Sequence, residues 1–334
     1  MRNILKILGL FWCTTGYATS QKPLRAIEAS MPIHQQSQMQ QDEPFRSVTV
    51  LDNYSILAVG KTSVWRYDLD KRQLDRIRLP IKEGEAIQAA ASSEDFLVIA
   101  TDHKMLALEK ETLTLSKFPL KNHSNQDGET LTLSLHGSHA LWAHEAGLFS
   151  INLKSKTLEA RPLNPIIQRG DRLFQALSDP QKLWVVRGRY LIELAPGLPD
   201  VKVLQKGFSK FWSSQRFKGH LVLATRNTML SIDSKGQISR AIPVTGSRQL
   251  MARYLAQKTQ AYLLSDGTVE IFDHLGEFRY AHLEIDLDDI HSVEMAQRGP
   301  VLVLNLDGKL KNYVLPPPSP SGMSIGSSSP PMRY

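Results

Sequence analysis

Apolar residues along this chain come in short runs separated by Gly, Asp, Ser and Asn, and no stretch shows the 3.6-residue recurrence of a helix face. Between 86 and 120 the segments "AIQAAASSED", "FLVIATDH", "KMLALEKE" and "TLTLSKFPL" read as four successive strands with turn residues between them. The third carries a signature that returns: "VWRYD" at 64, "MLALE" at 105, "LFSIN" at 148, "RYLIE" at 189, "MLSID" at 229, "VEIFD" at 269 and "LKNYV" at 310. Successive copies are 41, 43, 41, 40, 40 and 41 residues apart. A period near 40 with four short strands per unit is the pattern of a β-propeller blade. The chain is therefore expected to be all-β, a seven-bladed propeller of four-stranded antiparallel blades.

The fourth position of each copy is apolar or aromatic, and the fifth is Asp68, Glu109, Asn152, Glu193, Asp233 and Asp273, with Val314 the exception. A short acceptor at the end of a strand can take hydrogen bonds from the following backbone N–H groups and fix the turn, so these side chains read as structural. Between the second and third strands lie "GKTS" at 60, "HEAG" at 144, "SDGT" at 265 and "LDGK" at 306, the residues that tight hairpins need.

The last copy has three strands and then meets Pro316. The segment "PLRAIEA" at 23–29 has the alternation of the missing fourth strand and is followed by a polar linker at 33–44. Pairing it with the last blade would close the ring and remove exposed sheet edges. The propeller is thus assigned to 21–315, and the Pro/Ser/Gly-rich stretch at 316–334 to a disordered tail.

The blade grammar of "MLALEKET" and "MLSIDSKG", a strand ending in an acid before a turn, resembles the bacterial YVTN and quinoprotein-like propeller repeat class. That resemblance implies the propeller fold and nothing about cofactors. The Gly-His and Trp-Asp marks of WD repeats, the double Gly of kelch repeats and the Trp and Thr-Gly marks of quinoprotein blades are missing. No cofactor is expected.

Composition and charge add compartment. Arg2 and Lys6 precede an apolar run to Trp12, with Ala18 and Ser20 placed for cleavage, so 1–20 reads as a signal peptide and the mature protein as periplasmic or secreted. The one cysteine, Cys13, lies within that peptide, so the mature chain has no thiol for disulfides, nucleophilic catalysis or zinc. The net charge of +7 falls to +5 without Arg2 and Lys6.

In blades 4 and 5 the rim loops concentrate Arg169, Arg172, Arg187, Arg189, Lys206, Lys210 and Arg226 against Asp171 alone, with Phe208, Phe211 and Trp212 interleaved. Cations with aromatics suit a protein interface or an anionic ligand. An acidic protein surface in the cell envelope is the expected partner, and nucleic acid is not expected in an exported protein.

The loop "EIDLDDIH" offers Asp286, Asp288 and Asp289 as weak candidates for a divalent cation, although the spacing matches no 12-residue calcium loop. In "HGSHALWAHEAG", His139 and His144 bracket a strand, which at about 3.3 Å per residue keeps them some 16 Å apart and prevents a shared metal. His136 and His139 supply only two ligands. No nucleophile elbow, P-loop or dinucleotide fingerprint is present. The residues point to a non-enzymatic docking scaffold, with a metal-dependent propeller lyase or lactonase, or a binder of an anionic envelope polymer, as alternatives.

Overall fold

The computed structural model describes residues 45–315 except 53–54, 72, 83–84, 121–127, 196–199, 218, 245–247, 256–258, 274–277, 284, 288 and 300. The signal peptide at 1–20, the closing strand at 23–29, the linker at 33–44 and the tail at 316–334 lie outside the described residues.

Twenty-seven strands form seven antiparallel sheets in chain order. Six sheets have four strands, here named A to D from first to last, and the seventh has three among the described residues. The innermost A strands are Ser47–Val50, Ala89–Ser92, Thr130–His136, Arg172–Gln175, Ser213–Phe217, Leu250–Leu255 and Val293–Arg298. No described residue is helical.

Strand B of blade 2 shows why these sequences make blades. All five residues of Phe96–Ala100 are buried, so the strand is apolar throughout, with no polar face. Side chains alternate across a strand, and here the two sets go to different neighbours. Leu97 and Ile99 join Leu57, Val59 and Val64 of blade 1. Phe96, Val98 and Ala100 join Trp142 and Phe149 of blade 3. Outer D strands have no such demand: Thr157–Arg161 is exposed at four of its five positions.

The same division recurs around the ring, giving seven apolar clusters for seven inter-blade seams. In the seventh, Val301, Val303 and Leu310 of blade 7 pack on Val48, Ile56 and Tyr67 of blade 1. Ring closure thus rests on core packing as well as on any strand contributed from beyond the described residues. At the closing seam the Glu294 carboxylate also accepts hydrogen bonds from the Ser47 hydroxyl and the Val48 N–H, both at 2.9 Å.

The turn chemistry follows the sequence. Asp68 Oδ1 accepts the N–H groups of Asp70 and Lys71 at 3.1 and 2.9 Å, and Asn152 and Asp233 do the same one and two blades further along or more. The longer Glu193 instead reaches Trp184 Nε1 at 3.1 Å and Lys182 at 3.3 Å. In blade 7 the B–C hairpin turns on Asp307 and Gly308 at φ 49° and 86°, the two positive values that a type I′ turn requires.

If the closing seam carries the same packing as an internal one, Leu310→Ala should lower unfolding stability by about 2–5 kcal/mol, as should Leu223→Ala at the blade 4–5 seam. Urea titration of both variants checks this, and a Leu310→Ala cost below about 0.5 kcal/mol would mean that blades 7 and 1 are not packed together.

Candidate functional site

In a blade whose strands run antiparallel in order, the D–A connectors and B–C turns share one end of the ring. Backbone bonds tie them there: Gly207 N–H to Arg189 O at 2.7 Å, Phe211 N–H to Gly188 O at 2.8 Å and Leu250 N–H to Arg226 O at 2.8 Å. This is the rim on which the basic sector was expected.

The structure divides that sector into three. Arg169, Arg189, Lys206, Lys210 and Arg226 are exposed on the rim. Arg169 pairs with Glu129 across the blade 3–4 seam, and Arg226 Nη1 donates to Gln249 Oε1 at 3.2 Å. Arg189 and Lys206 lie 5.5 and 5.9 Å from the centre of the Tyr190 ring. The two cations lower the pKa of the Tyr190 hydroxyl, chiefly through its hydrogen bond with Arg189.

Phe208 is wholly exposed, at 107 % of its reference area. The reason is local. The connector is held at Gly207 and Phe211 by the two backbone bonds above, Phe211 is buried in the blade 4–5 core, and the residues between are pushed outward. A Cβ on residue 207 would come 2.9 Å from the Phe211 ring, so the pinch needs glycine.

Arg187 does not belong to the free rim. Its Nε and Nη2 bind the two oxygens of Asp171 at 2.7 and 2.5 Å, and Nη2 also reaches Ile166 O. Asp171 is only 2 % exposed and accepts the Gln168 N–H at 2.9 Å. The pair fixes the connector into blade 4, and its hydrogen bond to Asp171 raises the Arg187 pKa.

Arg172 and Trp212 face elsewhere again: both line the central channel. There a cavity of about 830 Å³ is walled by inner strands and by the A–B turns of blades 2 and 3. Arg172, Arg216 and Arg253 come from blades 4, 5 and 6, while Glu94 and Asp95 of blade 2 and Glu294 of blade 7 give the other side acidic character. Burial pushes the Glu294 carboxyl up to about 7, against the hydrogen bonds from Ser47, Val48 and Asn305. It likewise pushes the Tyr254 hydroxyl up to about 12, reinforced by the Glu94 charge.

The signal for Arg216 and Arg253 lay in "SSQRF" and "LMARYL", where an arginine interrupts an innermost strand otherwise built of small and apolar residues. Sequence spacing alone does not say that these strands line a common channel.

The histidines are structural. His136 stacks on Phe174 at 4.4 Å, donates through Nε2 to Leu173 O at 2.9 Å and is held neutral by burial, its pKa down to about 4. His144 is buried at the far end of the same B strand, where its Nδ1 accepts the Ala146 N–H at 3.0 Å. Asp286 and Asp289 are exposed, and Asp288 lies outside the described residues. Among the described residues no three His, Cys, Asp or Glu side chains converge to hold a metal.

No family model matches the chain, and no curated protein does. Solved structures match by fold. Virginiamycin B lyase from Staphylococcus aureus superposes with a TM-score of 0.52 at 10 % identity, over 83 % of this chain and 96 % of that one. YCF48 bound to D1 peptide gives 0.51 at 12 %, over 82 % and 93 %. PorZ, a surface component of the type-IX secretion system of Porphyromonas gingivalis, gives 0.50 at 10 %, over 82 % of this chain and 37 % of that one. These neighbours are seven-bladed propellers, and at such identities the likeness carries the fold alone.

Glu294 predicts a pH dependence. Its folded pKa of about 7 lies above the ordinary 4.5, so the folded state binds the extra proton. Its contribution to stability is full below about pH 4.5 and is lost as pH rises through about 7. Glu294→Gln should abolish that part of the decline when unfolding is followed by urea titration from pH 4.5 to 8, and parallel curves for variant and wild type would refute the assignment.

Proposed function

We propose that this protein is an exported, non-enzymatic propeller that works in the periplasm as a docking platform for an acidic protein surface. The observation that carries the reading is Phe208, wholly exposed and ringed by Arg189, Lys206 and Lys210. An aromatic side chain held out in water costs free energy that only burial against something else recovers. The surrounding cations steer an acidic partner toward it and set its orientation.

The leading peptide at 1–20 supports export. Fold neighbours of mixed character do not choose a role: one is a lyase, one a secretion-system surface component and one is seen with a bound peptide. The last two are precedents for propellers that work through protein contact. The metal-dependent alternative finds no cluster of ligands among the described residues on which to build.

A photocrosslinker at position 208, activated in intact cells, should capture an acidic protein. Arg189→Glu with Lys206→Glu and Lys210→Glu should cut capture by about tenfold or more, and replacing the partner's facing carboxylates by Lys should restore it. Undiminished capture by the triple variant sinks the proposal, and capture of a polysaccharide in place of protein transfers the surface to an anionic polymer.

A further inference from the structure

We propose that the central channel holds a second site, at the inner end of the seam between blades 4 and 5, which binds a small oxyanion bearing a carboxylate or phosphoryl group. Strand register puts its residues together. Arg172 pairs with Val186 and Phe174 with Trp184, and Phe174, Trp184 and Val186 all belong to the blade 4–5 core. Arg172 therefore faces blade 5. Ser214 pairs with Leu223 and Arg216 with Leu221, and both leucines lie in that same core. Ser214 and Arg216 therefore face blade 4. All three residues line the channel cavity.

Each guanidinium is anchored by a carbonyl and by nothing negative. Arg172 Nη2 donates to Trp212 O at 2.5 Å, and Arg216 Nη2 donates to Gln175 O. Arg172 Nη1, Arg216 Nε and Ser214 Oγ are buried with no hydrogen-bond partner among the described residues. Burial alone moves both arginines down from their ordinary pKa, and no neighbouring carboxylate opposes it.

Buried charges in folded proteins are normally paired, because carbonyl acceptors satisfy geometry without neutralising charge. Elsewhere in this chain the rule holds: the buried Lys104 meets Glu85 at 2.7 Å, and Arg187 meets Asp171. Two facing guanidiniums with a hydroxyl between them are a donor set for a planar or tetrahedral oxyanion, to which arginine presents parallel N–H groups. A cavity of about 830 Å³ gives room for an organic anion of a few carboxylates or a phosphate ester.

The test uses the full chain with citrate and with inorganic phosphate, each at constant ionic strength set with sodium chloride. Thermal unfolding and isothermal titration calorimetry should show saturable binding of at least one of them, with citrate marking a carboxylate ligand and phosphate a phosphoryl one. Arg172→Gln and Arg216→Gln should each weaken it by about tenfold or more, whereas Arg189→Glu on the rim should leave it unchanged. Ser214→Asp guards against loss of folding in the arginine variants, since it supplies an internal carboxylate to both guanidiniums. It should raise the melting temperature without anion and abolish the response to anion. Absence of saturable binding by the wild type, an undiminished response in both glutamine variants, or a destabilised Ser214→Asp that still responds would each overturn the site.

Discussion

Each blade of this protein is a twisted sheet with two apolar faces, and that single constraint dictates the rest. A sheet buried on both sides needs two neighbours, and a row of such sheets leaves two faces wet at its ends. Packing Val301, Val303 and Leu310 on Val48, Ile56 and Tyr67 removes both ends at once. Burial at roughly 25 cal/mol per Å² makes this the dominant favourable term, and close-packed seams resist shear. The faces are thereby committed to the core, so chemistry is left to the two ends and the bore.

The bore has its own physics. Neighbouring A strands converge on the axis but belong to different sheets, so their backbones share no ladder. Side chains bridge them instead, about one repeat apart in sequence. Arg46 Nη1 donates to Gln88 O, Gln88 Oε1 accepts from Thr130 N–H, Thr132 Oγ1 donates to Asp171 O, and Arg172 to Trp212 O. Arg253 continues the series through Ser213 Oγ at 2.8 Å. Polar residues in the innermost strands are thus required by the stitching. Where the stitch is an arginine, it brings a full charge to a place where a carbonyl is its only anchor.

What could be read from sequence follows from which interactions are local. The period of strand C, the turn acids and the Asp307–Gly308 hairpin depend on residues a few positions apart, and the structure has them as expected. The end of the ring on which the basic residues gather was also legible, because strand order alone places the D–A and B–C loops together. The fate of each cation was not. Arg187 differs from Arg189 by two positions, yet one is clamped on Asp171 and the other lies on the Tyr190 ring. A B–C hairpin sends its last strand residue inward and its turn residue outward, and only the register reveals which is which. Arg172 and Trp212 were misjudged for the same reason, since the first residues of an inner strand can look either to the rim or to the bore.

Rim and channel nonetheless share one segment. The connector 207–212 is pinned at Gly207 and Phe211, carries Phe208 and Lys210 outward, and ends at the Trp212 carbonyl that receives Arg172. Trp212 itself packs against the blade 5–6 core. A shift of Phe208 must be taken up within a few bonds, because Phe211 is fixed in the blade 4–5 core on one side and Arg189 holds the backbone on the other. The span is too short to slacken and too well anchored to swing away. Its freedom is limited to the tilt of the peptide planes between 207 and 212, and the last of those planes orients the acceptor on which the channel arginine rests.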